Sequence, residues 1–465
     1  MWLLSLLIGT CLMAPALAVP GPVAVARATA ALSNAFVGDA LSMPAHWFYS
    51  VGDIVRTFSR LTTFQDAPKV HPGAIMSLHS TRAGGRGAQG GPGKEIVGDV
   101  ILKGRRQFWG GRSNHYHHGM KVRGGGAGGG GGPSPPLPCR RLFAAPSSPR
   151  MRRDGTMHCR SRSFIALHTA YRDRRSPPAP VRSYRVPEHP PTPLDHPSGP
   201  QAGENTLNLH VARLLMRSLA RHSAYVRDAW LQEYIEFMTT EGSHPDTYAE
   251  SYHRGFFANL EAGKPPHECG AVTHDTASIG GLVTCVPLAL RELLATGGDV
   301  AAVQATVREH LATTHPDEGL YRVADSFVSL TSALLFRGDD APPARATIAA
   351  HAEALFGLDL PKLVAAVGPD GDDTRVVGGQ FSPACYITDS YPSVLFLAFK
   401  YHDSPDAALE ANANAGGDNC HRGAVLGALV GLSSGRQAAL APQLADARAI
   451  GEEVSALLKS VPSLS

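Results

Sequence analysis

At 465 residues the chain is long enough for one large domain or two to three of average size. Its net charge of +3 hides an asymmetry: residues 121–200 hold 14 Lys and Arg against four Asp and Glu, a surplus of ten that leaves the remainder at −7. The alkaline balance therefore belongs to one segment, which excludes a nucleic-acid-binding reading of the whole, and seven cysteines without C-x-x-C spacing exclude a zinc-finger or thioredoxin motif.

In chain order, the first element is an apolar run from Trp2 to Ile8 that ends in Ala16-Leu17-Ala18. An apolar core followed by an A-x-A site predicts a secretory signal peptide over residues 1–18, although no Lys or Arg precedes it, and a plain hydrophobic first helix is the alternative. A cleaved leader would place the chain in the secretory pathway or outside the cell, and an uncleaved one in the cytoplasm. No other stretch is long and apolar enough to span a bilayer. A helical domain is expected to begin at residue 19 and to run to 121. Its first helix starts near Val23 and ends in Gly38-Asp39-Ala40-Leu41-Ser42-Met43-Pro44-Ala45-His46-Trp47. Gly84-Gly85-Arg86-Gly87 and Gly90-Gly91 read as a flexible loop, since no strand precedes them to make a phosphate cradle. In the run His115-Tyr116-His117-His118 at most His115 and His117 share a side if the backbone is extended.

Residues 122–201 break the pattern. With a glycine run from Gly124 to Gly132, and 15 of the chain's 36 prolines between 121 and 200, this stretch cannot bury enough apolar surface to fold and is expected to be disordered. It opens on Val, whose codons begin GT, closes on Gln, which CAG encodes, and is 80 codons long. A retained intron in the gene is one explanation, and a functional linker the other.

The helical domain resumes at 202 and continues to 465. From Glu204 to Arg221 the residues Leu207, Val211, Leu214, Leu215 and Leu219 recur at steps of three and four, which predicts a helix with one apolar face. Further amphipathic stretches cover 225–239, 286–296, 301–312, 344–356 and 438–458, and alternating Val/Ile/Thr runs are scarce, so the fold class is all-α. His274-Asp275 has the composition of a His–carboxylate base pair, or of a loop histidine bonded to its neighbour. Asp372-Asp373-Thr374 and Asp389 lie in polar loops that turn chemistry explains. Four cysteines of the body, Cys269, Cys285, Cys385 and Cys420, would be available for pairing in a secreted protein. Near the end, Gly416-Gly417-Asp418-Asn419-Cys420-His421-Arg422 leads into a helix where Gly423, Gly427 and Gly431 form a smooth stripe for close approach of another helix. Taken alone, Asp418 reads as the cap of that helix and Glu204 as an acid complementing a helix dipole.

These segments, in this order, resemble the ADP-ribosylglycohydrolase family. Gly38-Asp39-Ala40-Leu41 and Pro44 match its G-D-A-L-G-x-P-x-E motif, Glu204 and Thr206 partly match T-D-D-T, and Gly416-Gly417-Asp418 matches the start of G-G-D-x-D-T. Ser278-Ile279-Gly280-Gly281 and Pro287-Leu288 are similar to its S-N-G-A-A-M-R-x-x-P-L segment. The resemblance implies a compact all-α domain that binds two Mg²⁺ ions in a central cleft. It also implies hydrolysis of the glycosidic bond between ADP-ribose and a protein side chain, or of a small ADP-ribosyl substrate. By position it implies Glu204 and Asp418 as catalytic, and Asp39, Ser278, Gly280, Gly281 and Gly417 as substrate-binding. The metal positions would be His46, Glu204, Asn205, Asp418, Cys420 and His421. Few of these are the hard oxygen donors Mg²⁺ prefers, so Zn²⁺ or another transition metal is the alternative ion. Three readings stay open: a glycohydrolase with a remodelled site, a softer-metal site, and a binding or structural protein that keeps the fold without hydrolysis.

Overall fold

The computed structural model describes residues 21–66, 201–240, 243–244, 249–273 and 275–462. The leader, the glycine loop, the His115–His118 run, residues 122–200 of the insert and His274 lie outside these residues. Fourteen α-helices and no strand occur among the described residues; the only extended pairings there are the isolated bridges Ser278–Tyr386 and Val377–Phe381. No helix among them is long and apolar enough to cross a membrane.

Two helices set the frame. Helix α1 (Pro22–Ser42) opens with proline in its first turn, where the missing N–H costs nothing, and closes through a short 3-10 turn, Met43–Ala45. Helix α13 (Asn419–Ser434) packs along it, and this is the most extensive helix pair of the fold. The glycine stripe makes that possible. A Cβ at Gly427 would stand 2.2 Å from the backbone oxygen of Asn34, and one at Gly431 2.6 Å from the Cα of Ala31. The helix-propensity cost of three glycines, roughly 1 kcal/mol each, is offset by backbone contact over the whole interface.

Between these come α2 (Val51–Phe58), α3 (Leu207–His222) and α4 (Arg227–Thr239). All five residues expected on the apolar face of α3 are buried, but so are Leu209, Ala212 and Met216, because α4, α6 (Gly280–Thr296) and α14 (Ala447–Lys459) surround it. Helix α6 begins six residues before the amphipathic stretch at 286: it is buried on nearly every side, so no polar face marks its start in the sequence. Helices α7 (Val300–Ala312) and α9 (Ala344–Phe356) fall where the periodicity puts them. The stretch expected to be helical from 438 is a 3-10 turn at Ala441–Gln443 and becomes α-helical only at Ala447, since Pro442 interrupts it.

Besides α2, five helices lie outside the stretches singled out above: α5 (Ser251–Glu261), α8 (Glu318–Leu335), α10 (Leu360–Val367), α11 (Ile387–Lys400) and α12 (Pro405–Ala415). Helix α8 is locally encoded, with Asp317 accepting from Leu320 N at 2.8 Å as its cap and Leu320, Val323, Phe327, Leu330 and Leu334 buried at helical spacing. Across the undescribed stretch, Ala202 N donates to Asp66 Oδ1 at 2.9 Å, so residues 66 and 202 are neighbours in the fold.

Candidate metal centre

The loop before α13 is fixed from three directions. Gly416 and Gly417 both adopt positive φ (67° and 69°). Gly417 N donates to Phe48 O at 2.7 Å and Gly417 O accepts from Trp47 N at 2.8 Å, while Asp418 N donates to Pro383 O at 2.8 Å. Pro383 O would be 2.0 Å from a Cβ at Gly417, so this glycine is required twice over, by its conformation and by its neighbour. From below, the fully buried Arg422 donates through Nη2 to Gly416 O at 2.7 Å, through Nη1 to Pro383 O at 3.3 Å and through Nε to Asn412 Oδ1 at 2.7 Å. Burial lowers its pKa to about 10, with the Asp418 charge acting against that, so the guanidinium stays charged. Arg422 is a charge in the first turn of α13, immediately before the small-residue stripe, an incongruity that could have marked it in the sequence.

Asp418 occupies the N-cap position of α13, yet its side chain makes no capping bond. The carboxylate turns instead to two imidazoles. His421 Nδ1 pairs with Oδ2 at 3.1 Å, and Oδ1 lies 3.0 Å from that nitrogen and 3.6 Å from His46 Nε2. Oδ1 is buried and accepts no hydrogen bond from the protein, the His421 ring nitrogen being aligned with Oδ2. Burial pushes the Asp418 pKa up, but His421, His46 and Arg422 together outweigh it and hold the group below the usual carboxylate range. For His421 the same balance runs the other way: burial opposes its charge, and Asp418 and Glu250 override burial and raise its pKa well above 6.5. His46 is dominated by burial, which lowers its pKa to about 3 and keeps it neutral.

The outer partners assign the ring nitrogens. Asn419 Nδ2 donates to Ala413 O at 3.0 Å, so its Oδ1 faces His46 Nδ1 at 3.2 Å. That contact places the proton on Nδ1 and leaves a lone pair on Nε2; a longer approach of Cys420 N to Nδ1, 3.5 Å, competes with it weakly. His421 Nε2 sits 3.4 Å from Glu250 Oε1 and 2.6 Å from Asn208 Nδ2. Asn208 in turn pairs with Tyr252 OH at 2.7 Å and His253 Nε2 at 3.1 Å, a buried polar chain leading away from Asp418. Glu250, Asn208 and Tyr252 belong to no motif, and nothing in the sequence pointed to them.

Other expected site residues are placed differently. Asp39, expected at the substrate, accepts from Asn205 Nδ2 at 2.9 Å, Thr206 N at 2.8 Å and Thr206 Oγ1 at 2.6 Å. It thereby ties α1 to the start of α3, and burial, partly offset by those bonds, raises its pKa. Asn205 donates to Phe36 O at 2.9 Å as well, so its amide is spent on α1. Glu204 precedes the Thr206 N-cap of α3 by two residues and accepts from Gln201 N at 2.8 Å. The Cys420 thiol faces Asp39 O at 3.6 Å. Cys269, Cys285 and Cys385 are free thiols, not paired. Asp373 is engaged by Lys400 Nζ at 2.7 Å, and Asp389 accepts from Ser382 N at 3.0 Å, both structural. Of the six expected metal positions, three form the one group of donors among the described residues: His46, Asp418 and His421, with ligand atoms within 4.8 Å of one another and every residue buried.

Ser278 and Gly280–Gly281 reach the same region from α6. Ile279 N donates to Cys385 O at 2.9 Å, two residues beyond Pro383, and a Cβ at Gly280 would lie 3.0 Å from Tyr252 OH and 3.5 Å from Asn208 Nδ2. Four segments that are far apart in the chain thus meet around Asp418. Tyr49 and Cys385, both half-buried, stand at its margin: burial, with the Asp418 charge adding to it, raises the pKa of each.

Comparison with known proteins gives the family. The sequence profile of the ADP-ribosylglycohydrolase family matches residues 163–462, well over half of the chain. A solved structure described as an ADP-ribosylglycohydrolase-related protein complex is similar to 57% of this chain and 85% of its own, at 21% identity and a TM-score of 0.39. No curated protein matches. Two Mg²⁺ ions, as the resemblance implied, do not suit the donors present: the group offers one carboxylate and two imidazoles, whereas Mg²⁺ requires oxygen ligands, and Glu204 and Asn205 are engaged elsewhere.

Proposed function

Because this chain belongs to the ADP-ribosylglycohydrolase family, we propose that it acts on the glycosidic bond joining ADP-ribose to a protein side chain, or on a small ADP-ribosyl substrate, at the residues around Asp418. One observation carries this reading. Asp418 is an ionised carboxylate with a buried oxygen that accepts no hydrogen bond, held between His46 at the end of α1 and His421 on α13. Cleavage of a glycosidic bond passes through an oxocarbenium-like state with positive charge growing at the anomeric carbon. A fixed carboxylate in a dry site stabilises that charge without reorganising. The loop bonds of Gly417 and the grip of Arg422 hold the carboxylate in place, and the Tyr49 margin is where a substrate would approach.

The test is release of free ADP-ribose from ADP-ribosylated peptides, arginine-linked and serine-linked in turn, by the full chain and by Asp418→Asn. The substitution keeps shape and removes charge, and is expected to lower kcat/KM by about 10²-fold or more. Equal rates for the two proteins would overturn the assignment of Asp418.

A second reading has its own support. The group holds a single carboxylate, so ligand binding without turnover fits the reduced acid content of the site. Wild-type protein that binds ADP-ribose and releases none from any of these peptides would establish that reading in place of the first.

A further inference from the structure

We propose that residues 382–385 form a movable strap over Asp418, latched shut through the Pro383 carbonyl, and that a ligand reaches the carboxylate when this strap lifts. The inference deepens the proposed function and rests on that reading for its ligand, an ADP-ribosyl compound, but not for the motion itself. Access is its first support. Asp418, His46 and His421 are 1%, 2% and 3% exposed. A carboxylate that stabilises charge at an anomeric carbon has to touch the sugar, so part of the surrounding structure must move aside.

Anchoring is the second support. The strap runs between Phe381, which packs against the core, and Tyr386, which caps α11 and bridges to Ser278. None of its own four residues is buried. Segments with little buried apolar contact are the first to open in a folded protein. Hydrogen bonds hold the strap instead. Ser382 N donates to Asp389 Oδ1 at 3.0 Å, and Cys385 O accepts from Ile279 N at 2.9 Å and Ser390 Oγ at 3.2 Å. Ala384 N turns back to Ser382 Oγ at 3.3 Å, within the strap.

The third support is where the latch falls. Pro383 O accepts two bonds, from Asp418 N at 2.8 Å and from Arg422 Nη1 at 3.3 Å. The strap is thus tied to the very residue that a ligand must reach. Tyr49 lies within electrostatic reach of Asp418, Cys385 and Tyr386 alike, so the strap borders the margin assigned to substrate approach. Lifting it frees the Asp418 N–H and one Arg422 N–H, two donors that a ligand oxygen can take up. Binding thereby favours the open strap over the closed one.

Two adjacent amides provide the test. Asp418 N is bonded to the strap, whereas Gly417 N is bonded to Phe48 O at 2.7 Å and keeps that bond when the strap lifts. Residue-resolved hydrogen–deuterium exchange on the full-length, ligand-free protein should show protection at Asp418 at least tenfold lower than at Gly417, each taken relative to its own unprotected rate. Asp389→Ala, which removes the acceptor of Ser382 N, should lower protection at Asp418 by a further factor of roughly three to ten and leave Gly417 unchanged. Equal protection of the two amides in the unaltered chain would overturn the proposal, because Asp418 would then open only with the body of the fold. An Asp389→Ala effect of the same size on both amides would overturn it too. Low protection at Asp418 without release of ADP-ribose removes the hydrolytic reading and leaves the strap standing. Release of ADP-ribose with equal protection does the reverse.

Discussion

Gly38 and Gly423 face each other across α1 and α13 with no side chain between them. A Cβ on Gly38 would lie 2.2 Å from the Gly423 carbonyl oxygen, and one on Gly423 2.5 Å from that of Gly38. Both obstacles are backbone and cannot swing aside. Asp39 and Asp418 stand just beyond this contact on their respective elements, so a close backbone approach of the two helices adjoins the site.

Gly423→Ala should therefore destabilise the protein by about 1–3 kcal/mol, a fall in Tm of about 2–4 °C for each kcal/mol. Gly451 on α14 is the control. Nothing stands within 4 Å of a Cβ there, and Gly451→Ala should stabilise by about 0.5–1 kcal/mol. Thermal unfolding of both variants checks the contrast, and shifts of the same sign would show that the interface has more room than described.

Lys400 and Asp373 form a buried pair, 4% and 9% exposed, in which Nζ–Oδ1 is 2.7 Å and Tyr401 OH donates to the other oxygen at 2.7 Å. Lys400→Met leaves that carboxylate without its cation and should cost about 3–5 kcal/mol in urea unfolding. Adding Asp373→Leu should recover most of the loss. If the double variant is no better than the single one, the pair contributes packing alone.

Acid should unfold the protein early. Burial lowers the pKa of His210 to about 4, of His310 and His315 to about 3, and of His253 well below 6.5. Their folded pKa values lie below the unfolded value, so the stability they confer is complete above about pH 6.5 and is lost as pH falls from there toward 3–4. In that window each one contributes a slope of about 1.4 kcal/mol per pH unit. His421, with its raised pKa, adds a slope only above pH 6.5, and Asp418 only below about pH 4. Urea midpoints from pH 7.5 to 5 should fall steeply, and a flat profile would contradict the neutral state of these four rings.

Removal of residues 122–201 by splicing would join Lys121 to Ala202. Trypsin would then release Ala202–Arg213 as a peptide of its own, whereas the uninterrupted sequence gives Val186–Arg213. Mass spectrometry of protein from its natural source should find the shorter peptide; recovery of the longer one alone would make the segment a genuine part of the protein.

The sequence carried the fold class because the fourteen helices of the described residues are mostly local events: apolar spacing on α3, a cap on α8, proline at the head of α1. It failed where burial is complete. Helix α6 shows no polar face to mark its beginning, and α11 keeps Pro392 inside a helix because its surroundings sustain it. At the site, motif order singled out Asp418, His46 and His421, which the glycine loop and the end of α1 bring together. It could not find Asn208 or Glu250, which reach His421 only after α3 and α5 are packed. Neither did it foresee that Asp39 and Asn205 would satisfy each other, since adjacency to a motif does not tell a ligand from a brace.

The hydrogen bond from Ala202 to Asp66 brings together two exposed residues 136 positions apart in the chain. Their contact is a built-in distance gauge: a donor and acceptor dye attached at these two positions would stay close while the helices that cradle Asp418 remain packed, and would part when that packing is lost.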